Sequence, residues 1–165
     1  DILVNNAGVM LLGPIEGAES EDWRRMIAIN MLGLMYATEA AMPLIREAGG
    51  GNIVNVASTA GRIAAMGAGA YNLTKFGVVG LSEALRQEAL HSDIRVSVVE
   101  PGMVETELQG HNKDPAVVEQ IEKMREQIGE PLQAEDVADA ILYIVSRPSH
   151  VAINELLIRP AKQQR

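Results

Sequence analysis

Tyr71 and Lys75 stand four residues apart, a spacing that places both side chains on one face of a helix, one turn from each other. A phenol, with an ordinary pKa of about 10, is a poor base at neutral pH, and a neighbouring ammonium favours its ionised form. The pair reads as a proton shuttle at a substrate oxygen. Ser58, upstream of Tyr71, could hold that same oxygen by hydrogen bonding. Taken alone, Tyr-x-x-x-Lys is better read as an ordinary solvated lysine beside a packed tyrosine. The elements around it have to decide.

Those elements alternate. Asp1-Ile2-Leu3-Val4-Asn5 reads as a buried strand running into the turn Asn6-Ala7-Gly8. Ser20 is the expected cap of a helix reaching about Glu47, with Pro43 bending its last turns and Gly49-Gly50-Gly51 stopping it. Asn30 lies in that helix's apolar stripe of Trp23, Met26, Ile27 and Leu34, where a polar amide needs a partner. Strands at 53–57 and 94–99, a helix at about 70–91, helices at 114–128 and 134–146, and a strand at 155–158 complete the series. Such alternation predicts an open parallel α/β sheet with ligands at the carboxyl ends of its strands. Asn5 to Gly8, Ser58, and Pro101-Gly102 each follow a strand, so they converge on that edge.

Composition removes several classes. The chain has 165 residues, 47 % of them hydrophobic, enough for one domain with a core. A net charge of −8 and the lack of a basic run argue against a nucleic-acid partner. With no cysteine there is neither disulfide nor thiol nucleophile. His91, His111 and His150 show no ligand spacing, so no metal is expected. No run of eighteen apolar residues suggests a membrane span, and no leader pattern opens the chain; a cytoplasmic location is the expectation. Ser58 lacks a Gly-x-Ser-x-Gly elbow, which disfavours a hydrolase. Leu11, Leu12, Ile63, Ala64, Ala65 and Met66 fall in loops near the expected cleft and suggest an apolar substrate.

Order and spacing then become specific. The run Gly51-Asn52-Ile53-Val54-Asn55-Val56-Ala57-Ser58, followed by Tyr71 and Lys75, resembles the short-chain dehydrogenase/reductase family, as do Asn5-Asn6-Ala7-Gly8 and Pro101-Gly102-Met103-Val104-Glu105-Thr106. The resemblance implies an NAD(P)-dependent oxidoreductase that interconverts a carbonyl and an alcohol, with NAD or NADP left open. It implies Tyr71 as acid/base, Ser58 as the group orienting the reacting oxygen, Lys75 as partner of Tyr71 and of the nicotinamide ribose, and Asn30 as support for a water-linked proton relay. Asn5, Ala7, Gly8, Pro101, Gly102 and Thr106, with Tyr71 and Lys75, would line the cofactor; Asn55 could brace neighbouring backbone. A small carbonyl or alcohol substrate and a homo-oligomer formed through the long helices follow from the same resemblance. A noncatalytic nucleotide-binding or interaction protein is the alternative.

The family pattern also has a glycine-rich first turn and residues choosing NAD or NADP, which would lie before Asp1. The expectation is therefore a C-terminal catalytic fragment, residues 1–165 of a single Rossmann-like domain. Its doubly wound parallel sheet would be partial, with flanking helices and an unpaired edge on the first strand. Such a piece, alone, would bind NAD(P) weakly and turn over poorly.

Overall fold

The alternation is realised in the computed structural model, which describes residues 1–164. Strands β1 (Ile2–Asn5), β2 (Gly51–Val56), β3 (Ile94–Pro101) and β4 (Glu155–Ile158) form one sheet in the order β1-β2-β3-β4. Every neighbouring pair is parallel, with Val4 opposite Val54, Val54 opposite Ser97, and Val99 opposite Leu156. The helices are α1 (Ser20–Ile27), α2 (Leu34–Glu47), α3 (Gly69–Glu88), α4 (Pro115–Ile128) and α5 (Ala134–Val145).

Successive strand side chains point to opposite faces, so β2 and β3 need apolar residues on both. On one face Ile53 and Val96 pack with Ile45, Leu85 and Ala89, while Ala57 and Val98 pack with Leu34 and Val78. On the other, Val54 and Val99 pack with Ile144 of α5. Helices thus lie on both sides of the sheet. Each such buried Val, Ile or Leu contributes about 1.5–3 kcal/mol.

The expected partial sheet is corrected here. The described residues make a Rossmann-like parallel four-stranded sheet with flanking helices that runs through the whole chain. The physical reason is that each strand finds a partner within the chain: β1 pairs along its whole length with β2, and α2 packs against both. Its outer edge pairs with no other strand among the described residues, and Ile2 and Val4 are exposed there.

Other differences are local. The stretch 20–47 is not one uniform α-helix, because a π-helical segment, Ala28–Gly33, sits between α1 and α2. Pro43 lies inside α2 without ending it. Ser20 is the first residue of α1 rather than its cap; Glu19 holds the cap position, and Ser20 Oγ accepts from Arg24 at 3.1 Å. Ser20–Glu47 has the length and composition of a membrane span. Within it Met26, Leu34 and Ile45 are buried in the core, whereas Ile27, Leu32, Met35, Tyr36 and Leu44 are exposed. Glycine is required where α2 turns into β2: Gly50 has φ +109°, and a Cβ there would lie 2.5 Å from Asp93 O.

A polar seam crosses the sheet between these apolar groups. Asn5 Nδ2 donates to Thr38 Oγ1 at 3.0 Å and to Asn55 Oδ1 at 2.8 Å, and Asn55 Nδ2 donates to Ser82 Oγ at 2.9 Å. Ser82 in turn donates to Val78 O at 2.7 Å. Satisfied in this way, buried amides lock the register of β1 on β2 and seat both helices on the sheet.

Candidate active site

Three chain segments meet at the carboxyl edge of β1 and β2. Ser58 leaves β2 in extended conformation and caps a short 3-10 turn, Thr59–Gly61, its Oγ accepting from Ala60 N at 3.1 Å. Tyr71 lies in the first turn of α3, buried among Val9 and Met26, with Leu11, Leu12 and Trp23 packed against them. The Ser58 side chain acts on its hydroxyl, favouring the ionised form. Lys75 is one turn further on, 6 % exposed, with Nζ 5.8 Å from the Tyr71 ring centre. Serine, tyrosine and lysine therefore come together as their spacing predicts.

Electrostatically the pair departs from the expectation. Burial pushes the Tyr71 phenol up to about 12, and the Ser58 side chain opposes that rise without cancelling it. Burial likewise pushes the Lys75 ammonium down to about 8. Desolvation dominates at both groups and favours the neutral phenol.

Asn30 is buried and fully engaged. Its Oδ1 accepts from Val9 N at 2.8 Å, and its Nδ2 donates to Val9 O at 2.9 Å and to Thr74 Oγ1 at 3.2 Å. The partner demanded by an amide in an apolar stripe is thus the loop after β1. The π segment surrounds this residue, a placement frequent at functional sites.

Gly8 lies against these groups: a Cβ there would be 3.5 Å from Asn30 Oδ1 and 3.8 Å from Lys75 Nζ. Lys75 gives one N–H to Val56 O at 3.0 Å. An ammonium carries three donors. The remaining two suit a ribose diol, and the bare backbone at Gly8 leaves room for a nucleotide to approach. The residues present fit a nicotinamide dinucleotide.

The other expected cofactor residues divide. Ala7 is exposed in the turn beside Gly8. Asn5 is turned into the polar seam, so its side chain braces the sheet. Asn55 braces side chains there, Asn5 and Ser82, rather than backbone. Pro101 ends β3 on the same sheet edge, and Gly102 packs against Gln163. Thr106 caps the 3-10 turn Glu107–His111, its Oγ1 accepting from Leu108 N at 3.3 Å. Of the suggested substrate-side residues, Leu11 and Leu12 pack against the Tyr71 cluster, whereas Ile63 and Met66 are exposed.

Several positioning residues have no obvious mark in the sequence. Asn72, beside Tyr71, donates to Ala60 O at 2.7 Å and Ile63 O at 3.1 Å and accepts from Ala65 N at 3.1 Å, pinning the loop after Ser58. Arg62 in that loop binds the wholly buried Glu100 through both carboxylate oxygens, at 2.6–2.8 Å, and also pairs with Glu155. The two carboxylates raise the Arg62 pKa above its ordinary value. Asn112 accepts from Leu12 N at 2.7 Å and donates to Met10 O at 3.1 Å. One available signal was Glu100 itself, a carboxylate ending the apolar run of β3, which demands a cation.

Comparison with known proteins assigns the family. Residues 1–116 match the short chain dehydrogenase model, and the chain belongs to that family. An uncharacterized oxidoreductase of Staphylococcus saprophyticus is 35 % identical over 165 residues, covering 99 % of this chain and 66 % of its own length. The glycine betaine reductase ATRR of Emericella nidulans is 37 % identical over 161 residues, 97 % of this chain and 12 % of that protein. The closed form of serine dehydrogenase complexed with NADP+ superposes with a TM-score of 0.91 at 37 % identity, over 100 % of this chain and 66 % of that one.

These matches correct the expectation of a partial domain. The family model begins at residue 1, and relatives and structures match over essentially all of the chain, so the family's fold runs through the whole of it. The chain spans 66 % of the length of the Staphylococcus relative and of the serine dehydrogenase.

Proposed function

We propose that the protein is an NAD(P)-dependent oxidoreductase that interconverts a small alcohol and its carbonyl compound, with Tyr71 as the acid/base. One observation carries this reading: Tyr71 is buried at the end of β2, with the Ser58 side chain acting on its hydroxyl and Lys75 Nζ 5.8 Å from its ring. The relatives named above, an oxidoreductase and an NADP+-bound serine dehydrogenase, support the same class.

Bound nicotinamide supplies or accepts the hydride. In reduction Tyr71, held neutral by burial, passes its proton to the substrate oxygen while Ser58 donates a hydrogen bond to that oxygen as charge develops. Lys75 holds the ribose and stands next in line to return a proton to Tyr71. The Asn30 carboxamide is committed to Val9 and Thr74, so its share in proton return runs through its backbone or through its hold on the β1 loop. Oxidation reverses the path and needs Tyr71 ionised. Leu11, Leu12 and Trp23 beside the tyrosine favour a substrate with an apolar flank.

Replacing Tyr71 by Phe in the whole protein is expected to lower turnover about a thousandfold or more, as loss of a general acid does, while cofactor affinity stays near wild type. Oxidation is expected to accelerate with pH up to at least pH 9, and reduction to stay flat across neutrality, because a phenol near 12 is protonated throughout that range. Steady-state rates and dinucleotide fluorescence titration check both. Near-normal Y71F turnover defeats the assignment. Dinucleotide binding without turnover on a broad alcohol and carbonyl panel favours a noncatalytic binding protein.

A further inference from the structure

We propose that Gln163 is a positioning residue for the turn Pro101–Met103, which ends β3 on the sheet edge where Ser58 leaves β2, an inference that rests on the oxidoreductase reading above. Gly102 N donates to Ile158 O at 2.7 Å, so the end of β3 is laid against the end of β4. After β4 the chain turns at Pro160, and Gln163 N donates to Pro160 O at 3.0 Å. That turn brings the Gln163 side chain back over the end of β3, where Oε1 accepts from Met103 N at 2.9 Å.

The fit at Gly102 is tight. A Cβ on Gly102 would overlap Gln163 Oε1 and lie 3.1 Å from Arg159 Cγ. The glycine therefore leaves space for the carboxamide of Gln163. Its φ lies outside the positive range, so close approach rather than backbone conformation is what requires glycine here.

Beyond Met103 the segment is tied on by a short parallel pairing with the stretch before α5: Leu132 N donates to Met103 O at 3.0 Å, and Glu105 N donates to Leu132 O at 2.7 Å. Gln163 supplies the side-chain bond at the start of the segment. No contact joins it to Ser58, Tyr71 or Lys75 among the described residues, so it acts through the turn. Removing its acceptor widens the conformations open to Pro101–Met103. The binding-competent fraction falls, and apparent cofactor affinity falls in proportion. Chemistry on the molecules that do bind is untouched.

The test uses Q163L, which removes the acceptor, Q163E, which keeps one, and G102A, whose methyl displaces the carboxamide. In the whole protein Q163L is expected to raise the NADPH or NADH dissociation constant about fivefold, the range of one net hydrogen bond, with kcat within about twofold of wild type. In cofactor-free protein the Met103 amide is expected to exchange faster in Q163L. Q163E should restore both properties. In cofactor-free protein G102A should speed exchange at the Met103 amide as Q163L does, and the double variant should exchange no faster than the faster single one, because both remove the same contact. Wild-type affinity together with wild-type amide exchange in Q163L overturns the proposal, and so does an equal loss in Q163E. A wild-type protein that binds neither dinucleotide overturns the oxidoreductase reading instead.

Discussion

The loop that follows Ser58 is fastened by side chains at or near full burial, while the segment 102–114 after β3 hangs on contacts open to water. In the first, Asn72 makes three hydrogen bonds from a site 4 % exposed, and Glu100, fully buried, holds Arg62. In the second, Thr106 bonds its own turn, Glu105 pairs with Arg125 at the surface, and Asn112 supplies a well-buried side-chain tie. The difference suits the tasks that the proposed function would give the two regions. A group that transfers a proton must be held close to its productive geometry, and buried, saturated hydrogen bonds do that. A segment beside a ligand must open at modest cost, which water-exposed contacts permit.

The contrast breaks first, and most heavily, at Arg62. Replacing it by Met leaves Glu100 in the core without its cation, and loss of one partner of a buried pair costs several kcal/mol. The Arg62 side chain is 40 % exposed, so water can reach part of the gap. We expect about 3 kcal/mol lost from urea-unfolding stability, together with a lowered kcat as the Ser58 loop loosens. A loss below about 1 kcal/mol would mean that Glu100 is stabilised without Arg62.

Asn112 tests the other side at lower cost. N112A frees the Leu12 amide and the Met10 carbonyl, both in a half-buried loop. One to two unmet bonds of this kind predict about 1–2 kcal/mol of stability. Because the tie joins segment 102–114 to the loop after β1, substrate KM is expected to rise with kcat nearly kept. A collapse of kcat at unchanged KM would show that this segment positions the reacting groups as closely as the Ser58 loop does.

What the sequence makes legible depends on how far its consequences travel. Tyr71 and Lys75 meet because four residues are one helical turn, a local fact. Ser58 joins them because a parallel sheet gathers the ends of its strands, and the apolar runs show where those strands lie. The fasteners work at longer range: Arg62 reaches Glu100 across 38 residues, Met103 reaches Gln163 across 60, and Leu12 reaches Asn112 across 100. No periodicity in a single chain records such pairs. The partner of the Asn5 side chain is hidden for a related reason. Its turn context suggests a cofactor residue, but pairing of β1 with β2 sets it opposite Asn55, and that register commits its amide to the sheet. The π segment had one hint, the polar Asn30 in an apolar stripe, and periodicity alone could not turn that hint into a widened helix.

The smallest expected effect lies at the Glu105–Arg125 pair, and it sharpens the contrast because its geometry looks strong. The two groups approach to 2.5 Å, closer than Arg62 lies to Glu100, yet both side chains are more than two-fifths exposed. Water already solvates each ion, and holding two long side chains together costs rotamer freedom, so such pairs contribute about 0–1 kcal/mol. R125A is expected to shift the urea midpoint by an amount equivalent to under about 0.5 kcal/mol, and added salt should remove most of even that. Burial, not distance, would then separate the two regions. If R125A instead cost as much as R62M, the segment 102–114 would be fastened as firmly as the Ser58 loop, and the division between a fixed wall and a yielding one would fail.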